Sequence, residues 1–451
     1  MDSWGGPGDD IGRAASVTPD GYLVAGERET VGARLTQAWM LELSLAGDST
    51  GSSLHGGAGE ELCMDVCRTG DGGWALVGSV KTPSEDYDLW VLRLDAGLDT
   101  LWQATLTSPG HDAGYAIINH PDGDLVVAGS RDVDVATGYS WLLCFDEAGD
   151  TLWSKTTGSG PLRLYHDLID TGDGLAAAGL AYDSSGDCGF LLSRIGYGGT
   201  TEWENTYGGP GWEACYGLGI RGDIYCLGGY TTSFGSGDGD FWYLEVAGNG
   251  DSLTASAFGG VEWERCYDIA AEGDGCLLCG YTASLTAPGD ISDCWLVRTG
   301  PDGALEWSVA YGGPGSDRLH AVQTCPDGGY LLAGESDGQL LAIRVDSLGQ
   351  VSPSSIGLCD TEGAAAALRP VVNPAVAEEL LSFEVSSGCP GTLELFDPAG
   401  RLVSTVPVVG PGLVTVSPGG PDAPSGAYLA ILRAGESTAF ASVVLIRSSG
   451  R

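Results

Sequence analysis

The chain has 451 residues, 74 of them glycine, with 43% hydrophobic and 18% charged residues and a net charge of −41. It is too apolar for a disordered chain and too glycine-rich for a helical one. With 20 basic against 61 acidic residues it lacks the basic stripe of a nucleic-acid groove, and anionic membrane surfaces repel it. No apolar run reaches the ~18 residues of a membrane-spanning helix. The charge itself reads first as solubility, and secondarily as divalent-cation binding or a salty habitat.

The chain opens with "MDSWGGPGDD", already inside a repeat and without a signal peptide, so a mature or truncated form is expected. Runs such as "YLVAG" then end on Gly26, Gly78, Gly129, Gly179, Gly229, Gly280 and Gly334, spaced 50 to 54 residues apart. Asp20, Asp71, Asp122, Asp173, Asp223, Asp274 and Asp327 precede them, and all but Asp223 are followed by glycine, the hairpin signal. Ten residues earlier stands a third column: Asp10, Glu61, Asp112, Arg163, Glu213, Glu264 and Asp317. In most copies a double glycine comes just before it, as in "YGGPGWE" and "FGGVEWE".

Each copy holds four strand-length pieces; the second reads "LCMDVCRT", "GWALVGSV", "DLWVLRLD" and "TLWQAT". Four antiparallel strands make one propeller blade, and a closed ring of blades avoids long exposed edges. The expected fold class is therefore all-β: a seven-bladed β-propeller over residues 1–358, followed by a small immunoglobulin-like β-sandwich. The blades fall at about 3–53, 54–105, 106–156, 157–206, 207–257, 258–310 and 311–357, with residues 351–357 expected to give the last blade its outer strand. Trp39, Trp90, Trp141, Trp242 and Trp295 share a column completed by Phe190 and Leu341; Trp102, Trp153, Trp203 and Trp307 form another. Both read as packing between blades.

The pattern "YGGPGxD…DGGYLLAG" resembles the secreted bacterial β-propeller repeats, over about 350 residues, with kelch repeats a poorer fit because their double glycine stands elsewhere. Blade four departs, with "TGSGPLR" and Arg163 in the acid slot. The resemblance implies a secreted propeller and no particular reaction.

After a linker at 359–365, residues 366–451 carry "NPA", "LELFDPAGRLVSTV", "PSGAYLAIL" and "SVVLIR". Alternating strands at this spacing suggest a β-sandwich. These motifs resemble the C-terminal sorting domains of the type IX secretion system, which implies secretion machinery as a partner and an extracellular or cell-surface location. The usual terminal lysines are absent; Arg447 and Arg451 are the basic residues there. Of 13 cysteines most lie in apolar strands; Cys276 and Cys279 have redox-motif spacing but point to opposite faces of a strand, and Cys359 and Cys389 could form a disulfide.

Short Asp-Gly turns lie on one face of the ring, so the double-glycine connections and variable loops share the other, where function is expected. The acid column, Asp10, Glu61, Asp112, Glu213, Glu264 and Asp317, is expected to rim that face. It would either bind a cation or lock each turn by accepting backbone hydrogen bonds, and repetition in nearly every blade favours the lock. Asp86, Asp88, Asp238 and Asp240 supply oxygen ligands suited to calcium, without the EF-hand pattern; otherwise no cofactor is expected.

Among the five histidines, His166 and His320 share a column with Tyr115, Tyr216 and Tyr267, in blades far apart around the ring. No GxSxG, HExxH or P-loop motif occurs. The most site-like cluster spans blades five and six: Trp212, Glu213 and Tyr216, repeated as Trp263, Glu264 and Tyr267. It reads as a platform for a sugar or a protein side chain, or as cover for the blade joint. The function expected is noncatalytic binding of a glycan or protein partner; the alternatives are an extracellular hydrolase or lyase using face carboxylates, and a purely structural surface protein.

Overall fold

The computed structural model describes residues 2–351 except Pro7, 31–34, Ala58, 82–85, 135–136, 159–160, 287–289 and Pro314, together with the strands between 368 and 446. No described residue is helical. Seven four-stranded antiparallel sheets resembling propeller blades follow one another. Sheets I to VI span Asp10–His55, Glu60–Leu106, His111–Thr157, Arg163–Tyr207, Glu213–Phe258 and Glu264–Tyr311, each in simple up-and-down order.

Sheet VII takes three strands from Asp317–Val345, and its outer strand comes from the other end of the chain. Asp2, Ser3 and Trp4 pair with Ala342, Leu341 and Leu340. This corrects the expectation that residues 351–357 fill that slot; Val351 makes an isolated bridge to Val345, and 352–357 lie outside the described residues. Pairing the first residues with the last sheet closes the ring through backbone hydrogen bonds, which hold the two ends of the repeat array together.

Packing closes it as well. Each hydrophobic cluster draws on two consecutive sheets, and one joins VII to I through Leu331, Ala333 and Leu340 against Tyr22, Val24 and Trp39. The column of Trp39, Trp90, Trp141, Phe190, Trp242, Trp295 and Leu341 is buried in these joints, where each large ring removes apolar area from water on both sides. Cys276 enters the joint of V with VI and Cys279 that of VI with VII, on opposite faces of their strand.

The first strands of the sheets contact one another around the circle and form its innermost wall. Each carries a β-bulge at the same place, and the unpaired residues are Arg13, Met64, Tyr115, His166, Tyr216, Tyr267 and His320. A bulge adds one residue against the partner strand and re-aims its side chain.

In the C-terminal part the described strands form a three-stranded sheet (Leu368–Pro370, Leu381–Val385, Gly412–Val416) and a five-stranded one. The latter runs Ala375–Val376, Ser437–Ile446, Gly426–Ala434, Gly391–Phe396, Leu402–Val408. Phe383 of the first and Leu393, Leu395 and Ile431 of the second are buried. Cys359 and Cys389 lie outside the described residues.

Candidate functional site

The double glycine and the acid that follows form one device. The second glycine donates its N–H to the acid: Gly6 to Asp10 at 2.5 Å, Gly57 to Glu61 at 2.8 Å, Gly209 to Glu213 and Gly260 to Glu264 at 2.7 Å, and Gly313 to Asp317 at 3.0 Å. In sheet III the Ser108 hydroxyl takes that role toward Asp112 at 2.6 Å. The first glycine leaves room for the carboxylate. A β-carbon on Gly259 would stand 2.1 Å from Asp240 Oδ1 and 2.4 Å from Glu264 Oε2; one on Gly312 would meet Asp293 Oδ1 at 2.0 Å and Asp317 Oδ2 at 2.8 Å. A side chain there would have to displace these carboxylates from their places in the turn.

The acid column therefore does not sit on an open rim. Asp10, Glu61, Asp112, Glu213, Glu264 and Asp317 are buried beneath the turns, because an exposed carboxylate could not satisfy these amides out of water. Sheet IV breaks the pattern: Arg163 pairs with Glu204 at 2.5 Å.

Buried carboxyls also meet one another. Asp240, close to Glu264, is pushed up to about 6 by burial, with the Glu264 charge adding to it. Asp293 is pushed up to about 7 by burial and by Asp317 and Asp290. One residue past the bulge, Asp65, Asp167 and Asp268 staple neighbouring sheets: each accepts the next residue's N–H and one from the following sheet, Ile117, Leu218 or Val322, at 2.8, 2.6 and 2.8 Å. Burial raises all three, Asp65 and Asp268 to about 7.

The bulge residues make a chain of rings. Tyr115 meets His166 at 5.1 Å, His166 stacks on Tyr216 at 4.5 Å, Tyr216 meets Tyr267 at 5.6 Å, and Tyr267 meets His320 at 4.9 Å. The two histidines are thus joined through two tyrosines. Desolvation lowers both to about 4, so they are neutral at physiological pH; the Cys215 carbonyl lies 2.7 Å from His166 Nδ1, and Glu335 lies 3.7 Å from His320 Nε2.

Trp212 and Trp263 stand outside the inner strands. Their backbones are held, by bridges to Cys188 and Gly239 of the preceding sheets and by Thr232 and Ala283 amides on their carbonyls. Their side chains remain 54% and 38% exposed. Tyr216 and Tyr267 lie deeper and half-buried, while Glu213 and Glu264 are committed to their turns. The same face carries Phe234, Val261 and Ile291, all exposed.

Two groups belong to this cluster that the sequence reading passes over. Tyr230 meets Trp263 at 6.3 Å and Tyr216 at 6.2 Å, and the Arg265 guanidinium lies 4.6 Å from the Tyr230 ring centre. The signal was positional: Tyr230 and Tyr281 follow the closing glycine, and Arg265 and Arg318 follow the acid, in adjacent repeats.

The calcium candidates do not converge. Asp240 and Asp88 are buried, Asp86 is half-buried and Asp238 exposed. Among the described residues no three His, Cys, Asp or Glu side chains gather as a metal site. A cavity of about 360 Å³ lies on the flank, lined by Thr206, Tyr207, Trp242 and Leu244 among others.

No protein-family model and no curated protein matches the sequence. Similar solved structures include the WD40 domain of Neurospora crassa Pan2, at 10% identity over 76% of this chain and 96% of that one, with a TM-score of 0.44. The β-propeller domain of the Trilobed protease from Pyrococcus furiosus is similar at 9% identity, over 74% and 93%, with a TM-score of 0.44. A puromycin hydrolase variant complexed with PGG gives 15%, 84%, 60% and 0.49 in the same order. The likeness is to β-propeller folds, and the arrangement of sheets in this chain stands on its own strand pairing.

Proposed function

We propose that the chain is a seven-bladed β-propeller with a C-terminal immunoglobulin-like sandwich, acting at the cell surface or outside the cell as a noncatalytic binding protein. A glycan or protein partner is held on the loop face over sheets V and VI. The observation that carries this reading is the exposure of Trp212 and Trp263 on rigidly held backbone. Large apolar side chains left in water at adjacent repeats suit a contact surface. The carboxylates beneath them are occupied by turn amides, which favours binding over hydrolysis. Export and attachment through residues 366–451 follow from the tail motifs.

The test pairs a glycan array and protein pull-down on the full chain with Trp212→Ala and Trp263→Ala. Stacking on one open indole contributes on the order of 1 kcal/mol. The double variant should therefore weaken the captured ligand about tenfold or more. Unchanged binding by a folded double variant removes the platform.

A further inference from the structure

Arg265 is the second residue of the first strand of sheet VI, and its guanidinium covers the face of Tyr230 at 4.6 Å. Its surroundings are phenols: Tyr281 opposes it in register, and Tyr216 and Tyr267 complete the set. Glu213 and Glu264 lie near the Tyr230 and Tyr281 rings, but Arg265 forms no ion pair among the described residues, and its Nε, shielded from water, has no hydrogen-bond partner among them.

The equivalent arginine one repeat on shows what is missing. Arg318, whose Nε is likewise without a hydrogen-bond partner among the described residues, covers Tyr281 at 5.2 Å but opposes Glu335 in register, 3.6 Å from its carboxylate. Sheet VI has Tyr281 where sheet VII has Glu335. A half-buried guanidinium without a counter-charge carries a desolvation penalty that a cation–π contact offsets only in part. In a chain with 61 acidic residues, that position leaves the counter-charge to come from outside.

The groups nearby are aromatic faces bearing hydroxyls. Tyr230 touches Arg265, Tyr216 and the exposed Trp263, so the cation and the indole platform are one site. A pyranose ring stacks on such faces while phenols exchange hydrogen bonds with its hydroxyls. We propose that Arg265 recognises the carboxylate of a uronic-acid residue in a saccharide bound on this platform. The proposal rests on the platform reading and adds the charge class of the ligand. The planar guanidinium fork matches a carboxylate in two parallel hydrogen bonds. A densely charged polyanion suits the site less well, since beyond the first contact it meets an acidic surface screened only over ~8 Å at physiological salt.

The experiment is titration calorimetry of the full chain with cellobiouronic acid, a disaccharide with a single uronate, and its methyl ester. A charged hydrogen bond is worth about 1.5–3 kcal/mol, or about 10–100-fold in affinity. Wild type should bind the acid at least about tenfold tighter than the ester. Arg265→Gln should bring the affinity for the acid down to that for the ester, abolishing the preference, and Arg265→Lys should restore part of it. Each variant is first matched to wild type in far-UV circular dichroism and urea unfolding. Equal affinity for acid and ester in wild type, a preference that survives Arg265→Gln, or no binding of either at millimolar concentration overturns the proposal. A ligand from the screen that is lost in the tryptophan double variant but indifferent to Arg265→Gln refutes the carboxylate and keeps the platform.

Discussion

Replacing Glu264 by alanine tests the turn device directly. Its carboxylate is fully buried and accepts three hydrogen bonds: Gly260 N–H at 2.7 Å, Thr282 Oγ1 at 2.9 Å and Ser284 N–H at 3.0 Å. The Thr282 hydroxyl can rotate to another acceptor and Ser284 N–H keeps a second one in Thr282 Oγ1 at 3.2 Å, but the Gly260 amide can do neither. Losing two charge-assisted bonds costs about 3–6 kcal/mol gross. Relief of the like charge on Asp240 returns on the order of 1 kcal/mol, so a net loss of about 3 kcal/mol is expected. Glu264→Gln keeps the shape and one acceptor oxygen but sets an amide N–H₂ against Gly260, and should lose about 1–2 kcal/mol. Glu262, exposed and two residues away, serves as control at less than about 0.5 kcal/mol. All 13 tryptophans lie between residues 4 and 307, so intrinsic fluorescence in urea reports the ring without the tail. If Glu264→Ala unfolds at the same urea concentration as Glu262→Ala, the buried acid is not what locks the turn.

Gly217→Ala would place a β-carbon 2.6 Å from Ile269 N and 2.9 Å from Asp268 Cα, backbone of the next sheet, whereas Gly219→Ala meets its nearest atom, the Ala271 side chain, at 3.2 Å. The first should cost more than about 2 kcal/mol and the second less than about 1 in the same urea assay; equal effects would mean the joint yields freely. Burial first of all raises Asp65, Asp268 and Asp293 to about 7 and Asp240 to about 6, so the folded ring holds protons that the unfolded chain releases above about pH 4. That stabilisation is full below pH 4 and is lost as pH rises through 6–7, while neutral His166 and His320 act oppositely between about 6.5 and 4. With carboxyls outnumbering histidines, the melting temperature should be higher at pH 5 than at pH 8; the reverse order in a thermal scan refutes this assignment. Deleting residues 359–451 should leave the fluorescence-detected unfolding of the ring unchanged and alter localisation in the native host; a ring that melts without the tail contradicts two independent units.

Strand period and joint packing are legible because they repeat locally: an Asp-Gly turn, a closing glycine and a tryptophan recur at fixed offsets, and each offset has one packing consequence. The outer strand of sheet VII is not legible, since "DSW" is three residues long and finds its partner some 340 residues away. The acid column is visible, yet its burial is not, because composition does not reveal that the double glycine folds over the carboxylate. The staples at Asp65, Asp167 and Asp268 escape notice for another reason. Each reaches a backbone N–H one repeat later, at Ile117, Leu218 or Val322, and that relation appears when positions about 52 apart are read as neighbours.

Within each first strand, then, the residues that hold the ring and those that give it chemistry occupy different slots. The acid locks the turn in every sheet but IV, where Arg163 stands, and the position four after that slot is either a stapling aspartate or a small residue. The bulge between them is unpaired in every sheet, so its side chain is free to differ without disturbing a ladder hydrogen bond. That slot holds Arg13 and Met64 in the first two sheets and an unbroken run of rings from Tyr115 to His320. Where a cation faces the centre in sheet I, Glu27 neutralises it at 3.2 Å; where one follows the acid in sheet VII, Glu335 does. Sheet VI alone of these three sets its cation among phenols, directly beside an exposed indole. A structural role repeats around a ring, and a ligand breaks the symmetry; the break falls at Arg265.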